Sequence, residues 1–208
     1  MPDPITPPRS PLQEALVYAA GLHAEQTKKG GEEIPYIAHL LGVCSLTLEA
    51  GGTEDQAIAA LLHDAAEDQG GRERLEEIRG KFGDRVAEIV EACTDAFEDP
   101  KPDWRPRKER YLEHLASSPV DALLVACADK LYNTRAILQD HRRVDDEVFK
   151  RFTGKKEGTL WYYRALADAL ANSALESWLV EELMRAVGEL ERAAPSTASP
   201  VPSDRRPT

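Results

Sequence analysis

The chain has 208 residues, of which 42% are hydrophobic and 30% charged, so it can form one domain with a packed core and does not have the composition of a disordered chain. Its formal net charge of -11 disfavours a nucleic-acid-binding surface, because such a surface needs a concentration of basic side chains. No apolar run approaches the roughly 18 residues of a membrane span, and the proline-rich start lacks an apolar core, so we expect no membrane partner and no signal peptide.

Helical periodicity extends through most of the chain between two polar ends. Residues 1–11 and 195–208 are rich in Pro, Ser and Thr, and we predict that both are disordered tails. Residues 12–194 show apolar positions at helical spacing and no convincing alternation typical of strands. The pattern predicts a single all-α domain, a helical bundle without a significant sheet.

Glycines and capping residues predict where the helices begin and end. The first helix ends in the Lys-Lys-Gly-Gly sequence at 28–31, and Gly51-Gly52 ends a second helix that begins near Ile37. Thr53 and Gln56 predict a capping box for a third helix that continues to about Gln69. Further helices are predicted at 72–81, 84–96, 105–117, 120–139, 158–173 and 175–193, with polar loops at 97–104 and 140–157.

The third helix changes abruptly from apolar to polar. Leu61-Leu62 is followed directly by His63-Asp64, and two acids, Glu67 and Asp68, come one turn later. Because apolar residues hold this helix in a core, its polar end must face a lined cavity, where an unpaired carboxylate costs several kcal/mol. A divalent cation near His63 and Asp64 is one solution, and pairing with another polar group is the alternative. Glu67 and Asp68 would then flank the cation without binding it.

Two further polar residues interrupt apolar helical patterns. His39 begins the second helix, and Asp129 lies inside the apolar run around Val125 and Leu131. Taken singly, a buried histidine is usually a core residue and an Asp-Lys pair is usually a surface ion pair. Together with His63 and Asp64 they predict a four-ligand metal site built from three helices. Two imidazoles and two carboxylates suit Mn²⁺ or Fe²⁺ and would also accept Zn²⁺.

The cysteines indicate the compartment. Their number is odd, and all three lie within apolar helical patterns, where buried thiols are favoured over a disulfide framework: Cys44, Cys93 and Cys127. We therefore expect a cytoplasmic protein. The sequence predicts no oligomeric state.

The ligand pattern resembles that of the HD-domain phosphohydrolases, and more closely the hydrolase domain of the RelA/SpoT family and its small stand-alone relatives. The resemblance spans roughly residues 12–173. The stretches that carry it are Pro35-Tyr36-Ile37-Ala38-His39, Ala60-Leu61-Leu62-His63-Asp64-Ala65-Ala66-Glu67-Asp68, Phe82-Gly83 and Asp129-Lys130-Leu131-Tyr132-Asn133. It implies an all-helical enzyme of the stringent response that removes the 3′-pyrophosphate of (p)ppGpp.

The resemblance also implies roles for individual residues. His39, His63, Asp64 and Asp129 would hold Mn²⁺, and Glu67 and Asp68 would serve the attacking water and the proton transfers. The small anionic nucleotide would be bound by Asn133 near its ribose, and by Lys28 and Lys29 near its base and phosphates.

Three positions depart from the family pattern. Lys28 stands where the family usually has Arg, and a lysine cannot stack on guanine as a planar guanidinium does. Leu40 replaces a usual Pro, and Ala65 a common Thr. Two alternatives therefore stay open: an HD phosphohydrolase for another nucleotide or a cofactor phosphate, and a non-catalytic nucleotide-binding module. The basic residues of segment 101–110 form either a solvated face or a polyphosphate clamp.

Overall fold

The computed structural model describes residues 9–28, 33–98, 100–115 and 117–195, and these are folded into helices joined by short connections. The all-α prediction is confirmed. The helices are α1 (Pro11–Leu22), α2 (Ile37–Glu49), α3 (Glu54–Leu62), α4 (Ala65–Asp68), α5 (Gly71–Phe82), α6 (Asp84–Cys93), α7 (Trp104–Leu115), α8 (Val120–Val144), a 3-10 helix (Asp145–Arg151), α9 (Lys155–Ala171) and α10 (Trp178–Ala193).

Side-chain caps begin several of these helices. The Thr53 side chain accepts a hydrogen bond from the backbone N–H of Gln56, and the Gln56 side chain accepts one from the backbone N–H of Thr53, so the predicted capping box is confirmed. Ser10 and Gln13 form the same motif at α1, which explains why this helix starts at Pro11, inside the predicted tail. The other residues of the two predicted tails lie almost entirely outside the described residues.

Helix α8 forms the centre of the bundle. It packs against α2, α3, α6, α9 and α10, and one face of it is buried along most of its 25 residues. Leu123 and Leu131 on this face are almost fully buried. Each buried leucine of this kind contributes about 1.5–3 kcal/mol. This burial holds the middle of α8, including Asp129, against the helices that carry the other proposed ligands.

The connection between α1 and α2 is stitched by backbone hydrogen bonds. Lys28 N donates to Ile34 O at 2.9 Å and Tyr36 N to Gln26 O at 2.9 Å, while Thr27 and Pro35 form an isolated antiparallel bridge. Among the described residues this bridge is the only β-type pairing, as expected from a sequence that predicts no significant sheet. The bonds hold Gln26 and Tyr36 beside each other at the start of α2.

The largest departures from the predicted boundaries are in the third helix and in the segment after the middle of α8. The third helix is interrupted at His63-Asp64, because His63 Nδ1 bonds the carbonyl oxygen of Ala60 at 2.8 Å and takes the acceptor that a continuing helix would use. The predicted loop at 140–157 contains the end of α8 and the 3-10 helix, which is anchored by buried Val148 and Phe149. No helix in the described part of the chain is both long and apolar enough to cross a bilayer.

Candidate metal centre

Four side chains from three separate stretches of the chain converge inside the bundle. His39 stands at the start of α2, His63 and Asp64 at the junction of α3 and α4, and Asp129 in the middle of α8. The two histidine Nε2 atoms are 3.3 Å apart. Asp64 Oδ2 lies 3.4 Å from His39 Nε2 and 3.0 Å from His63 Nε2, and Asp129 Oδ1 lies 3.4 and 3.6 Å from the same atoms. The structure thus brings together all four predicted ligands.

The spacing of these atoms fits a divalent cation. Ligand atoms at bond lengths of about 2.0–2.2 Å from one ion, in tetrahedral or octahedral directions, stand about 3–3.5 Å apart. The His63 tautomer fits as well. Its Nδ1–H donates to Ala60 O at 2.8 Å, which leaves the Nε2 lone pair directed at the centre. The ligand atoms of His39, His63 and Asp129 all lie within 4.8 Å of one another, so these three buried side chains can hold a divalent metal ion. Asp64, which contacts both histidines, is placed to be the fourth ligand.

The protonation of the cluster follows from its charges. Burial alone would lower the pKa of His63, but Asp64 and Asp129 outweigh burial and raise it well above the usual 6.5. Burial would raise the pKa of Asp64, but His63 and His39 hold it well below the usual range. The pKa of Asp129 is lowered too, against burial, by Lys130 and His63. Without a cation, His63 is thus an imidazolium between two carboxylates.

Metal binding should therefore release about one proton per protein at pH 7, because His63 must lose its proton to become a ligand. The raised pKa of His63 means that apparent metal affinity increases as pH rises towards that pKa. Titration of MnCl₂ into metal-free protein in weak buffer with a pH indicator measures the release, and an exposed-histidine variant, His114→Gln, serves as the control. Metal binding without proton release would contradict this protonation state.

Neighbouring donors hold both ligand carboxylates. The Tyr36 hydroxyl donates to Asp64 Oδ2 at 2.5 Å, and Lys130 Nζ donates to Asp129 Oδ2 at 2.5 Å. Asn133, which the resemblance places near a ribose, donates its amide to Asp129 Oδ1 at 2.5 Å in this structure. Tyr36 and Lys130 were not assigned roles from sequence. Their positions, three residues before His39 and directly after Asp129, were the available signal.

The two proposed catalytic acids lie on α4, directly after His63-Asp64, and line a cleft of about 690 Å³ whose lining does not include the four proposed ligands. Glu67 Oε1 accepts a hydrogen bond from Lys101 Nζ at 2.7 Å, and Glu67 Oε2 accepts one from the backbone N–H of Asp95 at 3.2 Å. Asp68 Oδ1 accepts from the same Lys101 at 3.2 Å. Both acids thus contact the same lysine, Lys101, which lies in the polar segment before α7.

The basic segment 101–110 divides into two groups. Lys101 contacts both acids, and Arg107 Nη1 lies 3.8 Å from Glu67 Oε1 while also pairing with buried Asp95, which Lys108 contacts at 2.6 Å. Arg105 lies away from the acids, with its guanidinium 3.3 Å from the centre of the Trp161 ring. Only part of the segment therefore faces the proposed reaction site.

Lys28 is connected to the centre through Tyr132. Its Nζ is 5.0 Å from the centre of the Tyr132 ring and 3.5 Å from the Tyr132 hydroxyl. The Tyr132 ring in turn packs edge-on against His39, with the ring centres 5.1 Å apart. Gly42 permits this approach, since a Cβ there would lie 2.0 Å from the Tyr132 ring. Lys29, the second predicted basic residue, lies outside the described residues.

Comparisons with known proteins give a matching family and several relatives in sequence. The HD domain family model matches residues 15–159. Over 126 residues the chain is 44% identical to the Xenopus tropicalis guanosine-3′,5′-bis(diphosphate) 3′-pyrophosphohydrolase MESH1 and 43% identical to the human one, covering 60% of this chain and 68% of each relative. The corresponding enzyme of Aquifex aeolicus is 32% identical over 178 residues, which are 83% of this chain and 24% of that protein.

Two solved structures resemble the helical arrangement of this chain. A metazoan ortholog of SpoT described as hydrolysing ppGpp aligns with a TM-score of 0.69 and 28% identity over 90% of this chain and 97% of that one. A Listeria monocytogenes protein aligns with a TM-score of 0.65 and 25% identity over 74% of this chain and 99% of that one. The helical arrangement therefore has counterparts in solved proteins.

Proposed function

Because the chain belongs to the HD domain family, and because its relatives include MESH1 enzymes, we propose that it is a metal-dependent guanosine-3′,5′-bis(diphosphate) 3′-pyrophosphohydrolase. Its reaction is hydrolysis of the 3′ phosphoester, with water as the nucleophile and pyrophosphate and GDP as products when ppGpp is the substrate. We further propose Mn²⁺ as the cation and His39, His63, Asp64 and Asp129 as its ligands. The observation that carries the proposal is the convergence of these four side chains, followed one turn later in the chain by two acids, Glu67 and Asp68, at the edge of the cleft.

The surrounding residues suit hydrolysis of a phosphoester. When bound, a divalent cation lowers the pKa of water and withdraws charge from phosphoryl oxygens. Glu67, held by Lys101 and the Asp95 N–H, presents a carboxylate that can take a proton from the attacking water. Asp68, next to it, can hold the proton destined for the departing 3′ oxygen. Lys101 and Arg107 supply positive charge for the phosphates.

The test is a product analysis. Purified protein with MnCl₂ should convert ppGpp to GDP and pyrophosphate, measured by anion-exchange chromatography and ³¹P NMR. Release of orthophosphate instead, or turnover of a different nucleotide alone, would favour the second candidate, an HD phosphohydrolase for another nucleotide or a cofactor phosphate. Tight binding of ppGpp without turnover in Mn²⁺, Fe²⁺ or Zn²⁺ would overturn the enzymatic proposal and favour a nucleotide-binding module.

The second candidate is motivated by Lys28. Its ammonium is engaged with Tyr132 and cannot stack on a guanine base. Lys28→Arg should therefore lower the KM for ppGpp about two- to five-fold relative to its adenosine counterpart, because stacking of a guanidinium contributes about 0.5–1 kcal/mol at an exposed site. Steady-state kinetics with both nucleotides measure the ratio. Lys81→Arg is the matched control, since Lys81, on α5, also lies over a tyrosine ring, that of Tyr18 on α1. An unchanged ratio would show that Lys28 does not select the base.

A further inference from the structure

A series of hydrogen bonds through side-chain amides connects a buried histidine to Asp68. His23, at the end of α1, is 2% exposed, and its Nδ1 lies 2.7 Å from Gln26 Oε1. Gln69 Nε2 donates to the same oxygen at 3.0 Å. Gln26 Nε2 then donates to Asp68 Oδ2 at 3.0 Å. These contacts link segments that are more than forty residues apart in sequence, since Gln26 and Asp68 are separated by 42 positions.

Which group donates in each hydrogen bond of this series follows from the residues at its two ends. An ionised Asp68 can only accept, so Gln26 must turn its NH₂ group towards it. Gln26 Oε1 therefore faces inward and accepts from Gln69 and from His23, whose proton is consequently on Nδ1. The backbone also holds Gln26, because Gln26 N donates to His23 O at 3.1 Å and Tyr36 N donates to Gln26 O at 2.9 Å.

The Asp68 carboxylate thus has two different restraints. Oδ1 is held by Lys101, whose side chain is 36% exposed and lies at the cleft edge, where a substrate phosphate competes for it. Oδ2 is held by the neutral amide of Gln26, which a phosphate attracts much more weakly than it attracts an ammonium group. Only the Gln26 restraint is therefore independent of what Lys101 does when an anion enters the cleft.

We propose that Gln26 is a positioning residue for the reaction: with His23 and Gln69 behind it, it keeps the Asp68 carboxylate oriented towards the reacting phosphoester while Lys101 engages the substrate. This inference rests on the proposed function and names a device within the same site. A purely structural role for Gln26 would be to satisfy His23 and Gln69 and to close the turn before α2.

Two substitutions separate these roles. Gln26→Glu keeps an oxygen for His23 and Gln69 but replaces the donor to Asp68 by a second carboxylate. Gln26→Met removes both kinds of hydrogen bond at similar length. At pH 8, with saturating Mn²⁺, positioning predicts that kcat falls about 10- to 100-fold in Gln26→Met and at least as far in Gln26→Glu, with little change in KM or Mn²⁺ affinity. Wild-type kcat in Gln26→Glu, with a loss only in Gln26→Met, would overturn the inference.

A matched control and a double variant complete the experiment. Gln56 is a buried glutamine of the α3 capping box that is not among the residues lining the cleft, so Gln56→Met should lower the melting temperature and leave kcat unchanged. In an Asp68→Asn background, Gln26→Met should have no further effect on kcat if it acts through Asp68, whereas multiplicative losses would contradict that route. Failure of the wild-type protein to release pyrophosphate would instead refute the proposed function itself.

Discussion

His63→Ala should reduce pyrophosphate release from ppGpp by about a thousand-fold or more and should abolish specific Mn²⁺ binding. His63 Nε2 lies within 3.0–3.6 Å of the facing atoms of the other three proposed ligands, so no other side chain of the cluster is in contact with more of them. Its loss leaves Asp64 and Asp129 as neighbouring carboxylates joined only by His39. The charge of a phosphoester transition state then has no cation to neutralise it.

The measurement combines kinetics with metal binding. Steady-state rates on ppGpp give the loss in kcat/KM, and isothermal titration with MnCl₂ or metal analysis after gel filtration gives the occupancy. His141→Ala is the matched control, because His141 is also buried in a helix and paired with an aspartate, Asp146, at 3.3 Å. The control should lose some stability and keep its activity. Activity of His63→Ala within tenfold of wild type would eliminate the proposed metal centre.

Much of this centre was predictable from sequence for a physical reason. His39, His63 and Asp129 each interrupt an apolar helical pattern, and apolar faces pack together in one core, so polar residues on those faces must meet there. The cap at Thr53 and the glycine stop after α2 are likewise local signals, and the structure contains both. Local chemistry was sufficient wherever a residue type has one dominant structural use.

Other features depend on contacts that no periodicity encodes. The break after Leu62 arises because the His63 ring bonds the helix's own carbonyl at Ala60, which requires the ring orientation that the cluster imposes. The contact of Gln26 with Asp68, and that of Lys101 with Glu67, join distant segments. His141 falls in the segment predicted as a polar loop, 140–157, and is buried because the chain after α8 folds back as a 3-10 helix that places Phe149 against it.

Glu67→Gln should lower kcat for ppGpp hydrolysis about 10²- to 10⁴-fold while leaving Mn²⁺ affinity near the wild-type value. The amide keeps the size of the side chain and can still accept from Lys101 or the Asp95 N–H, but it cannot take a proton from water. Because Glu67 is not among the converging ligand atoms, its loss should separate chemistry from metal binding.

Glu73→Gln is the matched control for Glu67→Gln. Glu73 lines the same cleft but makes no contact with Lys101 in the described structure, and its substitution removes the same charge. It should change kcat less than twofold. Equal losses in the two variants would show that cleft charge, and not proton transfer at Glu67, governs the rate. A loss confined to Glu67→Gln, with Mn²⁺ still bound, would identify Glu67 as the proton acceptor. That acceptor lies one helical turn beyond His63, on the short helix α4 that follows the interruption at His63-Asp64.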